Sequence, residues 1–205
     1  MLHPTYPLLT DRLVLRPFRD DDLDAFHAIQ SRPDVVRYLY WEPRSREEAE
    51  EMLGRRKVQS AIEKEGDGLH LAADLRTTGE LIGHFSLYFA NREHRQGEIG
   101  FVLHPDHHGL GYATEGSRLM LRFGFEDLGL HRVIGRCDAR NGASARVMER
   151  LGMRREAHLI ENEFVKGEWT DELVYALLDR EWQALSEGVP APARASDGVP
   201  GPSGQ

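Results

Sequence analysis

The chain of 205 residues is long enough for one domain with a substantial core, and its 40% hydrophobic and 29% charged residues are ordinary for a soluble globular protein. A net charge of −8 with no basic stripe argues against nucleic acid as the main partner; the acidity suits a cationic partner such as an amine, and equally serves solubility alone. The single cysteine, Cys137, rules out an internal disulfide framework, and no apolar run approaches the ~20 residues that span a bilayer. With no signal-like start over residues 1–7, the expectation is a reducing, cytoplasmic compartment and no membrane partner.

In chain order, Leu13, Val14 and Leu15 read as a first strand. Asp20, Asp21 and Asp22 supply acidic first-turn residues for a helix with Leu23, Phe26 and Ile29 on one face. Ser45 and Glu48 form a capping box that opens a second helix, whose apolar side carries Ala49, Met52 and Leu53. Strands are expected over 69–75, 81–89 and 98–103, with Thr77-Thr78-Gly79-Glu80 as the tight turn between the first two. A helix beginning near Thr114 carries Leu119, Leu121, Phe123 and Phe125 before Gly129 stops it. A strand over 132–138, a helix over 143–151 ended by Gly152, two closing strands over 159–165 and 173–178 and a helix over 180–185 complete one domain, 1–185. From Ser186 onward Pro, Gly, Ala and Ser dominate, so 186–205 is expected to be a disordered tail. Helices between strands, with antiparallel hairpins early and late, indicate an α/β (α+β) fold around a mixed sheet.

The stretch His107-His108-Gly109-Leu110-Gly111-Tyr112-Ala113-Thr114-Glu115 joins the apolar strand Ile99-Gly100-Phe101-Val102-Leu103 to the Thr114 helix. Two glycines at a strand-to-helix turn let the backbone approach a ligand closely. The helix that follows turns unpaired N–H groups and the positive end of its dipole toward the same gap. The pattern suits an anion site for a phosphate or pyrophosphate, and a Gly-rich loop by itself also serves simply to turn the chain. A Walker loop is excluded, because no Gly-Lys-Ser/Thr triplet occurs, and a dinucleotide fingerprint is broken by Thr114, where a third small residue is required.

The turn resembles the pyrophosphate loop of the GNAT acyltransferase superfamily, Gln/Arg-x-x-Gly-x-Gly/Ala, in the register His108-x-x-Gly111-x-Ala113. The element order resembles the GNAT fold from Leu13 to about Trp182: a mostly antiparallel central sheet, flanking helices and a splayed cofactor cleft. Thr10-Asp11-Arg12-Leu13-Val14-Leu15-Arg16, Gly97-Glu98-Ile99-Gly100-Phe101, Gly111-Tyr112-Ala113-Thr114-Glu115, Asn141-Gly142-Ala143-Ser144, Leu151-Gly152-Met153 and Trp169-Thr170-Asp171 occur in the order seen in the RimJ/RimL-like branch, typified by ribosomal-protein N-acetyltransferases.

The resemblance implies acetyl-CoA as cosubstrate and an amine acceptor, a protein N-terminus or a small molecule, attacking the thioester directly in a ternary complex. The backbone of His108, Gly109, Leu110, Gly111, Tyr112, Ala113 and Thr114 would hold the pyrophosphate as an anion nest. His108, standing where Gln or Arg is usual, would add a weaker, pH-dependent contribution. By resemblance, Phe101, Val102 and Leu103 form a strand splayed from its neighbour that pairs with pantetheine and offers an oxyanion donor. Glu98 is the leading candidate for the base, a carboxylate at the start of an apolar strand, where the environment raises a carboxyl pKa toward a useful range. Glu115 is the rival, although a first-turn acid already has a dipole-related reason to be there. Many members place a tyrosine on the helix after Asn141, seven residues on, and here that position is Met148. Ser144, on the same helical face, is assigned a catalytic and cofactor contact to the thiol or pantetheine, and Asn141 a cofactor contact alongside its helix-capping role.

His104, His107 and His108 lack an accompanying ligand pattern, so no metal is expected. Cys137 reads as a small core residue. Trp41, Trp169 and Tyr175 suit an acceptor cleft and ordinary packing equally. Two other readings stand beside acetyl transfer: a coenzyme A-binding regulatory module with little catalysis, kept open by His108 and Met148, and a nucleotide site without pantetheine. The sequence carries no signal of oligomeric state, and a homodimer is the default expectation.

Overall fold

Leu13 and Leu15 point to one side of a strand and Arg16 to the other, the period of two that a sheet covered on both faces requires. The computed structural model describes residues 1–186, so the expected tail, from residue 187 on, lies outside the described residues. The strands are β1 (Leu8–Leu9), β2 (Leu13–Arg16), β3 (Gly68–Leu75), β4 (Leu81–Asn91), β5 (Gln96–Leu103), β6 (Arg132–Asp138), β7 (Arg154–Val165) and β8 (Glu168–Leu178). They form one sheet in the order β1-β2-β3-β4-β5-β6-β8-β7. Every neighbouring pair is antiparallel except β5 and β6. The helices are α1 (Leu23–Gln30), α2 (Pro33–Val36), α3 (Arg46–Lys57), α4 (Tyr112–Arg122), α5 (Gly142–Arg150) and α6 (Asp179–Ser186). None of them is long and apolar enough to cross a membrane.

Two cores result. The larger one joins Leu13, Leu15, Leu69, Leu71, Phe85 and Leu87 of the sheet to Leu119, Met120 and Met148 of α4 and α5. A smaller one, on the opposite face, packs Phe18, Phe26, Ala49, Met52 and Leu53 against Ala72. The capping box forms as expected: Ser45 Oγ accepts from the Glu48 N–H, and Glu48 accepts from the Ser45 N–H at 2.8 Å. Cys137 is a buried core residue whose thiol pKa burial pushes up to about 11.

Several elements depart from expectation for identifiable reasons. Asp20–Asp22 is a separate 3₁₀ turn leading into α1, and Asp22, besides accepting from the Arg19 N–H at 2.7 Å, is buried against Arg16. Arg16 forks between Asp22 and Asp74, with donor–acceptor distances from 2.6 to 3.0 Å. The helix after the glycine loop starts at Tyr112, before Thr114, and continues into a π-helical turn, Phe123–Asp127. β7 starts well before residue 159 because its hairpin with β8 absorbs an irregularity between Leu159 and Glu163, where Glu161 has φ +47°. Asp171 secures that kink by accepting from the Glu161 N–H at 2.9 Å and meeting His158 Nε2 at 2.8 Å.

Candidate active site

β5 and β6 pair only at Gln96–Arg132, Gly97–Val133 and Glu98–Ile134. Beyond that rung both strands continue, β5 to Leu103 and β6 to Asp138, without pairing to each other. This is a V-shaped opening at the carboxyl ends of the sheet's parallel pair, the place where open α/β sheets accept ligands. The far edge of β5 is fully used by β4: His84 stands opposite Val102 and Ser86 opposite Gly100, and the His104 N–H reaches the Ile82 carbonyl at 2.8 Å. Bonding alternates along an antiparallel strand, so the backbone groups of Ile99, Phe101 and Leu103 face the opening. Those of Val102 face β4, although Phe101 and Val102 are both only partly buried.

The glycine loop closes the wide end of the V. Gly109 has φ +74° and Gly111 φ +86°, conformations that L side chains resist. A Cβ on Gly109 would meet no heavy atom within 4 Å, leaving open space beside the loop. Gly111, the N-cap of α4, gives that helix no side-chain cap, whereas α3 is capped by Ser45 and α5 by Asn141. The first-turn donors at Tyr112, Ala113 and Thr114 are therefore left for an external acceptor. His108 Nε2 lies 2.9 Å from the Leu103 carbonyl. A carbonyl only accepts, so Nε2 carries the hydrogen, and the ring fastens the loop to the end of β5. His104 and His107 turn elsewhere, toward Asp106 and Glu80.

Glu98 lies on the last paired rung, in charged rather than apolar surroundings. Its Oε1 is 3.1 Å from Arg136 Nε, and its side chain is 26% exposed. Arg136 also reaches Glu172 Oε1 at 3.5 Å. Burial disfavours the charged form of Arg136, but its bonds to Glu98 and the field of Glu172 raise its pKa overall. Glu172 is itself only 4% exposed and accepts from Tyr40 OH at 3.1 Å and Asn162 Nδ2 at 3.2 Å. Burial and Glu172 together raise the Tyr40 hydroxyl above its ordinary range, so it stays a donor. Glu172 is not legible as a site residue in the sequence, because one acid in a strand ordinarily reads as surface; its only signal is that it shares a strand face with Val174 and Ala176.

Glu115, the rival base, is committed elsewhere. Burial alone would raise its pKa, but hydrogen bonds from Thr10 Oγ1 at 2.6 Å and from Arg12 hold it below the usual carboxylate range. Asn141 caps α5 through the Ser144 N–H at 3.1 Å, which places both residues at the carboxyl end of β6, on the wide side of the V. Met148 is buried at 2% exposure, with its sulfur facing Gly135. Of the aromatic candidates, Tyr175 belongs to the core and donates to Glu149 at 3.1 Å. Trp41 donates to Gln30, and Trp169 is 60% exposed beside Phe164.

Comparison with known proteins agrees with this geometry. Residues 12–154 match the family model described as acetyltransferase (GNAT) domain. The uncharacterized N-acetyltransferase YnaD of Bacillus subtilis is 35% identical over 85% of this chain and 98% of its own length. The spermidine N(1)-acetyltransferase of Vibrio cholerae is 26% identical over 87% of this chain and 100% of its own. The crystal structure of a GNAT-family acetyltransferase from Bacillus anthracis superposes with a TM-score of 0.76 at 30% identity, covering 88% of this chain and 100% of that one. The chain belongs to the GNAT acetyltransferase family.

Proposed function

We propose that this enzyme transfers the acetyl group of acetyl-CoA to a primary amine, of a protein N-terminus or a small molecule, by direct attack in a ternary complex. GNAT acetyltransferases use acetyl-CoA, which supplies the activated acetyl group as a thioester. The observation that carries the site assignment is a coincidence in space. An uncapped helix start behind two left-handed glycines stands at the wide end of a splayed parallel strand pair.

In this reading the loop from His108 to Thr114 binds the pyrophosphate, and the free edge of β5 at Phe101 and Leu103 aligns the pantetheine arm as an added strand would. A β5 backbone N–H on that edge faces the thioester oxygen. Glu98 accepts the proton of the attacking amine, directly or through water, once Arg136 yields toward Glu172. Asn141 and Ser144, at the end of the other wall, contact the pantetheine end, and Ser144 hydrogen-bonds the departing thiol. Two carboxylates sharing one guanidinium leave the acceptor side with surplus negative charge, which favours a cationic amine.

The ordered motifs of the RimJ/RimL-like branch support protein N-termini as one acceptor class, and the spermidine N(1)-acetyltransferases among the relatives make polyamines another. We place the reaction in the cytoplasm, in a single domain over 1–185 that forms a homodimer. An acceptor panel of N-terminal peptides, polyamines and amino-acid-like amines, read by release of free coenzyme A thiol, tests the function. Acceptor-dependent thiol release is expected. Coenzyme binding without release for any amine class would refute it.

A further inference from the structure

Arg12 lies outside the strand pair and the glycine loop, yet its side chain, 47% exposed, is engaged by the loop and by the first turn of α4. Nε and Nη2 each hold Glu115 Oε2 at 2.7 Å, and the Arg12 backbone N–H holds Oε1 at 2.8 Å. Nη1 donates to the Leu110 carbonyl at 2.8 Å, and the guanidinium lies 4.5 Å from the centroid of the Tyr112 ring. Thr10 Oγ1 adds a bond to Glu115 Oε1 at 2.6 Å. Across a trans peptide the carbonyl and the N–H point in opposite directions. Drawing the Leu110 carbonyl toward Arg12 therefore turns the Gly111 N–H away from it, into the concave side of the loop, where the first-turn donors of α4 also open.

We propose that Arg12 is a positioning residue for the diphosphate of the acetyl donor, fixing the Leu110–Gly111 peptide so that the Gly111 N–H is presented to the anion. The proposal rests on the reading of residues 108–114 as the pyrophosphate loop. Its charge is neutralised by Glu115, so the guanidinium acts through geometry. A planar fork holds a carboxylate and a carbonyl at fixed angles, and an ammonium on a flexible stem does not reproduce this. The same network explains why Thr10, Arg12 and Glu115 occur together, although about a hundred residues separate them in the chain.

The test titrates wild type, Arg12→Ala and Arg12→Lys with coenzyme A by calorimetry, and with pantetheine, which carries no phosphate, by NMR. The coenzyme A Kd should rise about 10- to 100-fold in both variants, the range for losing a charge-assisted hydrogen bond. The pantetheine Kd should stay within about two-fold. Should Arg12→Ala not fold, Thr10→Val removes one hydroxyl from the network and should weaken coenzyme A alone, by about three-fold. Wild-type coenzyme A affinity in Arg12→Lys overturns the proposal, because charge without the fork would suffice. Equal proportional losses for the two ligands overturn it as well, since the whole cleft would then have moved. A wild type that binds pantetheine as tightly as coenzyme A removes the pyrophosphate-loop reading itself, and Arg12's role with it.

Discussion

Gly111→Val bears on the loop with a magnitude that the geometry sets. At φ +86° and ψ −1°, Gly111 occupies a left-handed conformation that costs an L residue about 1–2 kcal/mol, and more for a β-branched one. The new Cβ would lie 3.2 Å from Arg12 Nη2, a contact that requires the neighbour to move. That nitrogen is held at 2.7 Å by Glu115 and does not retreat freely. The loop relieves both costs only by leaving the left-handed conformation, which rotates the Gly111 and Tyr112 N–H groups off the anion. If the binding-competent loop becomes about 2–3 kcal/mol less accessible, the apparent affinity for coenzyme A falls about 30- to 150-fold. Gly109→Ala is the internal control: its φ of +74° carries the same backbone penalty, but its Cβ meets open space. Its loss should be about 5- to 30-fold, below the range for Gly111→Val. Calorimetry with coenzyme A, beside a melting curve for each variant, makes the comparison. A folded Gly111→Val protein with wild-type affinity would refute the loop assignment.

Two further predictions concern stability. Arg16→Ala strands two buried carboxylates, Asp22 and Asp74, and should cost about 3–5 kcal/mol, lowering Tm by about 6–20 °C in a protein of this size. A loss under about 1 kcal/mol in urea titration would contradict the buried fork. His84 is buried beside Phe18 and Phe26, and desolvation followed by the charge of Arg56 lowers its pKa from 6.5 to about 3. The unfolded chain then binds a proton below pH 6.5 that the folded one refuses. Stability is thus complete above that pH and falls toward pH 3 by up to about 1.4 kcal/mol per unit from this group. His70, lowered to about 2 by burial first and Arg56 second, acts with the same sign. Urea titrations at pH 7, 6 and 5 should show a shallower slope for His84→Leu than for wild type, and identical slopes would mean that His84 is charged in the fold.

Local signals and tertiary ones differed in how far the sequence revealed them. The capping box at Ser45, the turn at Gly79, the strand over 132–138 and the glycine loop depend on neighbours within a few residues, and each formed where its pattern stood. The splay of β5 from β6 has no local signature, because the loss of pairing after Glu98 is decided between strands separated by a whole helix. The resemblance carried that expectation. Asp22 is half legible: its place at a helix start follows from the sequence, but only the fold brings Arg16 against it. Glu115 is the converse, an acid whose first-turn position was legible while its clamp to Arg12 and Thr10 was not. The extended β7–β8 hairpin was hidden because the kink at Glu161 breaks the alternation by which a strand is read.

The role of Glu98 is the central mechanistic claim, and a pH–rate profile of Glu98→Gln with one identified acceptor tests it most directly. The variant should fold and bind coenzyme A as wild type does, because Glu98 lies on the last paired rung and outside the loop. Its turnover should fall about 10²- to 10⁴-fold, the range for losing a positioned base. The deficit should narrow at high pH, as an acceptor with an ordinary lysine-like pKa near 10.4 begins to deprotonate unaided. A Glu98→Gln enzyme that matches wild type across the acidic limb would remove Glu98 from the reaction.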